Sequence, residues 1–310
     1  MKFKKPKFWD YKKPNFLAYL LLPLTIPIFL KNLFPNKSYN KNENIKKICV
    51  GNIYVGGTGK TPLAIYISNL LNKNNYQSAV IKKFYKDQLD EQILIKKYSN
   101  LICKKSRIEA VQDGVSKKFK YLIFDDGLQD KKLSFDLKIV CFNNNQWIGN
   151  GFLMPAGPLR ENLSALKKYD AVIINGDIEE NIKIKETIKN INSNIKIFES
   201  YYAPSNLHNL DITKNFVAFS GIGNNENFIN ILNKNKFKII DHYNFPDHYS
   251  FSEKDLKNII KNAKNNNAEV ITTEKDFLRI NEFFQKKIKF LKIDLKVVKE
   301  AMFENYLKSI

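Results

Sequence analysis

Two rhythms of hydrophobic positions alternate along most of this chain. Continuous apolar runs at 45–50, 78–81, 121–124, 137–142, 171–174, 195–198, 216–219, 237–241 and 269–272 are short and rich in Ile, Val and Phe. Runs of that length and composition describe strands buried on both faces. Between them apolar residues recur at helical spacing, as in 63–71, 181–191, 252–263 and 274–284. Strands alternating with helical crossovers predict an α/β fold built on mostly parallel sheets covered by helices. The stretch 143–158, punctuated by Gly and Pro, is the expected domain boundary. It divides the chain into 1–40, 41–147 and 148–310. No internal repeat is present, and the residues after Asp294 mix charges of both signs without a pattern.

The first forty residues break the rhythm. Residues 16–30 are almost wholly apolar but are interrupted by Pro23 and Pro27. Lysines flank them on both sides: Lys2, Lys4, Lys5, Lys7, Lys12 and Lys13 before, Lys31 and Lys37 after. Crossing a bilayer takes about 20 apolar residues, so the segment is short for a span. No small-x-small site follows that a signal peptide would need. With Phe8, Trp9, Tyr11 and Tyr19 nearby, an in-plane interfacial anchor is expected, the alternative being a helix packed on the protein's own core.

Composition changes this picture little. The 310 residues suffice for one large core or two modest ones, and the net charge is +20. The lysines are scattered, with no arginine-rich groove or stacked-aromatic pattern, so no nucleic-acid partner is expected. A basic surface is nevertheless drawn to an anionic membrane face. Cys49, Cys103 and Cys141 lie in or beside apolar runs without motif spacing, which predicts buried thiols in a reducing compartment and no disulfide or zinc site.

The chemistry is concentrated after the first strand. Gly51-Asn-Ile-Tyr-Val-Gly-Gly-Thr-Gly-Lys-Thr-Pro62 joins a strand to a helix. In such a loop Gly56, Gly57, Thr58 and Gly59 let backbone N–H groups crowd around phosphates, Lys60 reaches the β/γ oxygens and the Thr61 hydroxyl can ligate Mg²⁺. Tyr54 stands where the general pattern has glycine. A second apolar strand, 121–124, delivers Asp125-Asp126-Gly127 at its carboxyl end, where a phosphate-loop enzyme holds its metal.

These motifs resemble those of the tetraacyldisaccharide 4'-kinases, the lipid A 4'-kinases of Gram-negative envelope synthesis. The resemblance runs through residues 50–62, Asp125-Asp-Gly-Leu-Gln129, Gly149-Asn-Gly-Phe-Leu-Met-Pro-Ala-Gly-Pro-Leu-Arg-Glu161, Gly221-Ile-Gly223, Phe245-Pro-Asp-His248 and Thr273-Glu-Lys-Asp276. The family also tolerates a non-glycine at position 54 and carries an interfacial helix before the loop. The resemblance implies two α/β/α sandwich domains, the first a P-loop NTPase-like parallel sheet, with ATP and Mg²⁺ in the cleft between them. It implies transfer of the γ-phosphoryl group to the 4'-hydroxyl of a tetraacylated glucosamine disaccharide 1-phosphate, giving lipid IVA. The site would lie at the cytoplasmic face of the inner membrane, in a peripheral or monotopic protein with no obligatory protein partner.

The same resemblance implies residue roles. The family assigns proton acceptance to the Asp of a Gly-Asp-Glu motif working with the His of Phe-Pro-Asp-His, which here are Asp90 and His248. Cleft closure would assemble the pair if the two come from different domains. In isolation Asp90 reads as a helix-start carboxylate and His248 as a partly buried loop histidine. Arg160 could steady the triphosphate with its fork, and Glu161 could complete a Mg²⁺ shell with Thr61, Asp125 and Asp126. Gln129 could position ligand or metal water. Thr273 and Asp276 fit a helix N-cap as well as a site. Lys82-Lys-Phe-Tyr85 stands where the family has Ser-Arg-Gly-Tyr, and Leu89 where it has glycine. A second class, the membrane-associated switch ATPases of the partitioning kind, shares Gly-Gly-x-Gly-Lys-Thr but carries a lysine where this chain has Val55.

Overall fold

The computed structural model describes residues 5–33, 44–85, 88–130 and 132–310. Lys2, Lys4 and Lys37 of the expected basic flank lie outside them. The apolar segment forms two short helices, α1 (Phe16–Leu20) and α2 (Ile26–Leu33), because a 3₁₀ turn at Leu22–Thr25 takes up Pro23 between them. Another 3₁₀ turn, Lys7–Asp10, precedes them.

From residue 46 the alternation appears as β1 (Lys46–Gly51), α3 (Lys60–Lys73), β2 (Ser78–Lys83), α4 (Leu89–Tyr98), β3 (Leu101–Lys104), α5 (Arg107–Ser116), β4 (Tyr121–Asp125) and β5 (Leu137–Asn143). It continues with β6 (Ala171–Asn175), α6 (Ile182–Ile191), β7 (Lys196–Pro204), β8 (Asn215–Ser220), α7 (Asn225–Lys234), β9 (Lys238–Asn244), α8 (Glu253–Asn265) and β10 (Ala268–Thr273). The chain closes with α9 (Glu274–Phe277), α10 (Glu282–Gln285), β11 (Ile288–Leu291), β12 (Ile293–Val297) and α11 (Glu300–Lys308).

The strands form two sheets, one of eight in the order β12-β7-β6-β5-β1-β4-β2-β3 and one of four in the order β11-β10-β8-β9. The pairings from β7 to β3 are parallel, as are all pairings in the smaller sheet. In the large sheet Cys49, Phe124, Val140 and Ile174 point to one face, where they pack with Ala110 and Val111 of α5 and Ile184 and Ile188 of α6. On the other face α3 packs along β1, β2 and β4, and Phe303 of α11 meets both Tyr66 of α3 and Phe198 of β7. The small sheet is covered in the same way. Phe216 and Ala218 face Phe228, Ile231 and Leu232 of α7, while Val217 and Phe219 face Leu256, Ile259 and Ala263 of α8. Alternate residues of β8 thus serve opposite layers.

Two compact units result: Met1–Phe84, Tyr98–Tyr201 and Lys296–Ile310 form the first, and Tyr85–Lys97 with Tyr202–Leu295 the second. The expected boundary at 147/148 is therefore wrong, because β5 and β6 pair from Ile139↔Ala171 to Asn143↔Asn175 across it in one sheet. The Gly and Pro of 143–158 shape a folded loop instead of a linker. Beyond that loop the Arg160 N–H bonds to the Ile53 carbonyl at 2.7 Å, and residues Leu163–Lys168 form a 3₁₀ turn. The helix expected at 274–284 divides into α9 and α10, where extended Asn281 breaks the helix and caps the N–H of Phe284. Cys49 and Cys141 are buried thiols as expected, whereas Cys103 is half-buried.

The 149–158 loop also fixes the N-terminal segment. The Asn150 N–H donates to the Trp9 carbonyl at 2.9 Å, and the Trp9 indole N–H donates to the Pro155 carbonyl at 3.0 Å. Gly149 has φ +57°, and a Cβ there would sit 2.1 Å from the Trp9 carbonyl oxygen. Gly149→Ala is therefore expected to cost about 1–3 kcal/mol from backbone strain alone, before the collision is relieved. A lowered thermal midpoint together with increased proteolysis near residue 10 checks it, and an unchanged midpoint refutes it.

Candidate active site

In the first unit the phosphate loop leaves β1 at the carboxyl edge of the sheet. Gly56 (φ +134°) and Gly59 (φ +92°) take backbone conformations that side chains resist, and Gly59 sits immediately before the first residue of α3. The turn is tied internally: Asn52 Nδ2 donates to Thr58 Oγ1 at 3.0 Å and to the Gly56 carbonyl at 3.3 Å. Gly57 completes the bend, and Pro62 occupies the first turn of α3. Tyr54, the departure from the general loop pattern, is fully buried against Leu153 and Leu159, with its strand bridge to Leu159. Its hydroxyl donates to Asp10 and accepts from Lys5 Nζ at 2.8 Å. The 149–161 block thus grips the phosphate loop from outside, reinforced by Val55 N–H to the Pro158 carbonyl at 2.8 Å.

Beside the loop, β4 presents Asp125. Thr61 Oγ1 donates to its Oδ2 at 2.8 Å, and Lys82 Nζ from the end of β2 reaches the same oxygen at 2.7 Å. Asp125 Oδ1 is buried without a hydrogen-bond partner. Asp126, in the left-handed region at φ +63°, pairs with Arg160 Nη1 at 3.1 Å. Burial pushes the Asp126 carboxyl up, but Lys60 and Arg160 outweigh it and hold the group below the usual carboxylate range. Glu161 Oε1 accepts from Gln129 Nε2 and from the Tyr169 hydroxyl, each at 2.7 Å. The second Gln129 contact is to the Asn52 carbonyl at 3.0 Å, so this amide braces the loop. Among the described residues no cluster of three His, Cys, Asp or Glu side chains is arranged around a common metal position. A Mg²⁺ bound through substrate phosphates needs fewer protein ligands, and the orphaned Asp125 Oδ1 beside the Thr61 hydroxyl fits that donor set.

The second unit holds a different cluster. Asp90, at the start of α4, is 2% exposed, and its oxygens lie 3.0 and 3.1 Å from His248 Nδ1. His248 is held at φ +56° by its N–H to the Gly221 carbonyl at 3.1 Å. Both residues belong to this one unit, so the condition for assembling the pair by cleft closure, an origin in different domains, is not met. Lys275 Nζ lies 3.3 Å from Asp90, 3.2 Å from Glu91 and 3.5 Å from Asp247. Arg279 Nε is 3.8 Å from Asp90, and its Nη2 donates to the Gly221 carbonyl at 2.8 Å and to Asp276. Burial pushes the Asp90 carboxyl up, yet the His248 hydrogen bond, Lys275 and Arg279 prevail and hold it below the usual range. Thr273 caps α9 and donates its hydroxyl to Asp276 Oδ2 at 2.7 Å, while the Gly221 N–H reaches the same carboxylate at 3.0 Å. The cap therefore fixes the loop that carries His248. The sequence marks Lys82 only as a departure from the family motif and does not single out Lys275 or Arg279, although Thr-Glu-Lys-Asp contains Lys275.

Comparison with known proteins accords with this geometry. The family model for LpxK, tetraacyldisaccharide-1-P 4'-kinase, matches residues 18–310. A tetraacyldisaccharide 4'-kinase of Pelagibacter ubique is 50% identical over 307 residues, covering 99% of this chain and 98% of that protein. One from Rickettsia typhi is 35% identical over 310 residues, with 94% of each chain covered. The fold is shared with the crystal structure of "apo" form LpxK from Aquifex aeolicus in complex with ATP, at a TM-score of 0.63 and 19% identity, covering 95% of this chain and 96% of that one. A phosphate loop facing a strand-end aspartate, a bracing 149–161 block and a match across 293 of 310 residues (18–310) converge on one assignment: the chain belongs to the tetraacyldisaccharide 4'-kinase family.

Proposed function

We propose that this protein transfers the γ-phosphoryl group of ATP to the 4'-hydroxyl of a tetraacylated glucosamine disaccharide 1-phosphate, yielding lipid IVA. The observation that carries the reading is the pairing, in one chain of this family, of a complete phosphate loop with a buried Asp90 bonded to a half-buried His248 in the other unit. Phosphoryl transfer asks for positioning and charge neutralisation more than covalent work. Loop N–H groups and Lys60 hold the triphosphate, and Arg160, anchored on Asp126, adds a guanidinium for charge on the transferring group. Thr61 and Asp125 would hold Mg²⁺, with Asp126 and Glu161 around them, and the ion would supply charge neutralisation at the phosphate oxygens.

The roles in the Asp–His pair are divided differently from the sequence expectation. Asp90 is buried, held below the usual carboxylate range and already engaged by a cation and an imidazole, which makes it a poor proton acceptor. With Nδ1–H donated to Asp90, the Nε2 lone pair of His248 is the group that takes the proton of the acceptor hydroxyl. Asp90 fixes the ring and the tautomer.

The lipid acceptor places the enzyme at a membrane surface. Among the described residues no helix is long and apolar enough to span a bilayer. Instead α1, α2 and the 3₁₀ turn between them expose Phe16 (79%), Leu17, Tyr19, Leu20, Leu24, Ile26 and Phe29 in one stretch. Exposed apolar side chains flanked by lysines suit in-plane insertion at an anionic surface, here the ATP-bearing cytoplasmic face of the inner membrane. Burying one such side chain contributes roughly 1.5–3 kcal/mol. Phe16→Glu with Leu20→Glu is therefore expected to cut partition onto anionic vesicles by about 100-fold or more while ATP binding persists. Equal vesicle sedimentation of variant and parent rules the anchor out.

Transfer of labelled phosphate from ATP to the tetraacylated disaccharide 1-phosphate in mixed micelles tests the whole reading. Labelled lipid is the expected product. ATP hydrolysis stimulated by membranes, with no labelled lipid, would replace it with the switch ATPase.

A further inference from the structure

Tyr54 lies inside the phosphate loop, where the general pattern has a glycine. A glycine there has no side chain and leaves the turn held by backbone alone. The tyrosine reaches out of the loop to the N-terminal stretch 5–10. Its hydroxyl donates to Asp10 and accepts from Lys5 Nζ at 2.8 Å, and those two charged groups pair with each other at 2.6 Å. The Lys5 ammonium also stands 5.0 Å from the ring centroid. The ring itself packs at the start of the glycine turn, for a Cβ built on Gly56 would lie 3.5 Å from Tyr54 Cε1. One stiff, fully buried side chain thus joins the Lys7–Asp10 turn to Gly56. Satisfying a buried hydroxyl takes a single partner. Here two ionised partners converge on it, and hydrogen bonds to charged groups are roughly twice as strong as neutral ones.

We propose that Tyr54 is a positioning residue for ATP, and that Asp10 and Lys5 complete the nucleotide site from outside the loop. The inference rests on the phosphate loop as the ATP site. The hydroxyl tie keeps the ring against Gly56, and with it the turn whose N–H groups meet the phosphates. The backbone on either side of Tyr54 is clamped as well. The Val55 N–H donates to the Pro158 carbonyl at 2.8 Å, and the Ile53 carbonyl accepts from the Arg160 N–H at 2.7 Å. Asp10 is a fixed post for this purpose, because the neighbouring Trp9 is seated on the same stretch by the Asn150 N–H at 2.9 Å and the Pro155 carbonyl at 3.0 Å. The N-terminal turn therefore has a part in nucleotide binding that is separate from the membrane contact of α1 and α2.

Tyr54→Phe, Asp10→Ala and Asp10→Asn in the full-length protein test the proposal, by calorimetric titration with ATP and Mg²⁺ and by KM for ATP and for the lipid. Tyr54→Phe keeps the ring and its packing, and should weaken ATP binding roughly tenfold, the scale of one lost hydrogen bond to a charged group. Asp10→Ala should do the same from outside the loop. Asp10→Asn keeps an acceptor for the hydroxyl and should recover most of the affinity. The Tyr54→Phe/Asp10→Ala double variant should bind no more weakly than either single one, because both remove the same tie. KM for the lipid should stay at the parental value throughout. Parental ATP affinity in either single variant overturns the proposal even where the thermal midpoint falls, since a purely structural tie moves the midpoint alone. If Tyr54→Phe does not fold, Asp10→Ala decides by the same criterion. A parent protein that binds no ATP overturns the phosphate-loop reading and this inference with it, a result distinct from parental affinity in the variants.

Discussion

Lys60→Ala is expected to lower kcat/KM by on the order of 10³-fold or more, in line with the loss of a preorganised charge that acts on the bond being broken. Lys60 is the first residue of α3, beside Thr61 and half-buried over the phosphate loop. Its ammonium is among the charges that hold Asp126 ionised, so its removal also leaves Arg160 as the main partner of that carboxylate. The fold should survive, because neither sheet pairing nor the loop-closing bonds of Asn52 use the Lys60 side chain. Thermal unfolding close to that of the parent, with phosphate transfer nearly abolished in micelles, is the expected pair of results. Wild-type turnover in this variant would remove the phosphate loop from the chemistry altogether.

That loop was legible in the sequence for a physical reason. Its function is carried by backbone geometry, and backbone geometry that needs positive φ writes glycines into the chain, here Gly56 and Gly59. The βα rhythm was legible for a similar reason, since buried parallel strands must be apolar throughout. The structure corrects readings that depend on distant partners. Nothing local marks the loop at 143–158 as part of the first unit, because its partners, Trp9 and the strand β6 that follows it, lie elsewhere in the chain. Nothing in residues 85–97 marks α4 as a member of the second unit. β12 and α11 escaped notice because their apolar faces are short: Leu295 and Val297 on one, Phe303 and Leu307 on the other. Lys82 read as a departure from a motif, yet it ends a buried strand with its ammonium on Asp125. Burying an ion pair demands that each partner meet the other, and sequence shows only one partner at a time.

His248→Gln should lower kcat by about 10²–10⁴-fold, the usual range for a lost general base, with ATP affinity little changed. In the proposed assignment the nucleotide would be held by the phosphate loop of the first unit, whereas His248 is fixed within the second by Asp90 and the Gly221 carbonyl. Asp90→Asn should fall in the same range by another route. An asparagine can donate its amide to Nδ1, which moves the ring proton to Nε2 and turns the acceptor atom into a donor. It also removes the carboxylate that stabilises the imidazolium after transfer. Two roles for the pair then give distinct results. If Asp90 were the acceptor and His248 its helper, Asp90→Asn would be much the more damaging, and a solvent-exposed substitute for the ring would suffice. If His248 is the acceptor, its loss is at least as severe as that of Asp90, and the double variant is no slower than His248→Gln alone, because an orienting residue has nothing left to orient. Single-turnover transfer with saturating ATP and lipid measures kcat free of binding. Additive losses in the double variant would show that the two side chains act independently and would return the proton to Asp90.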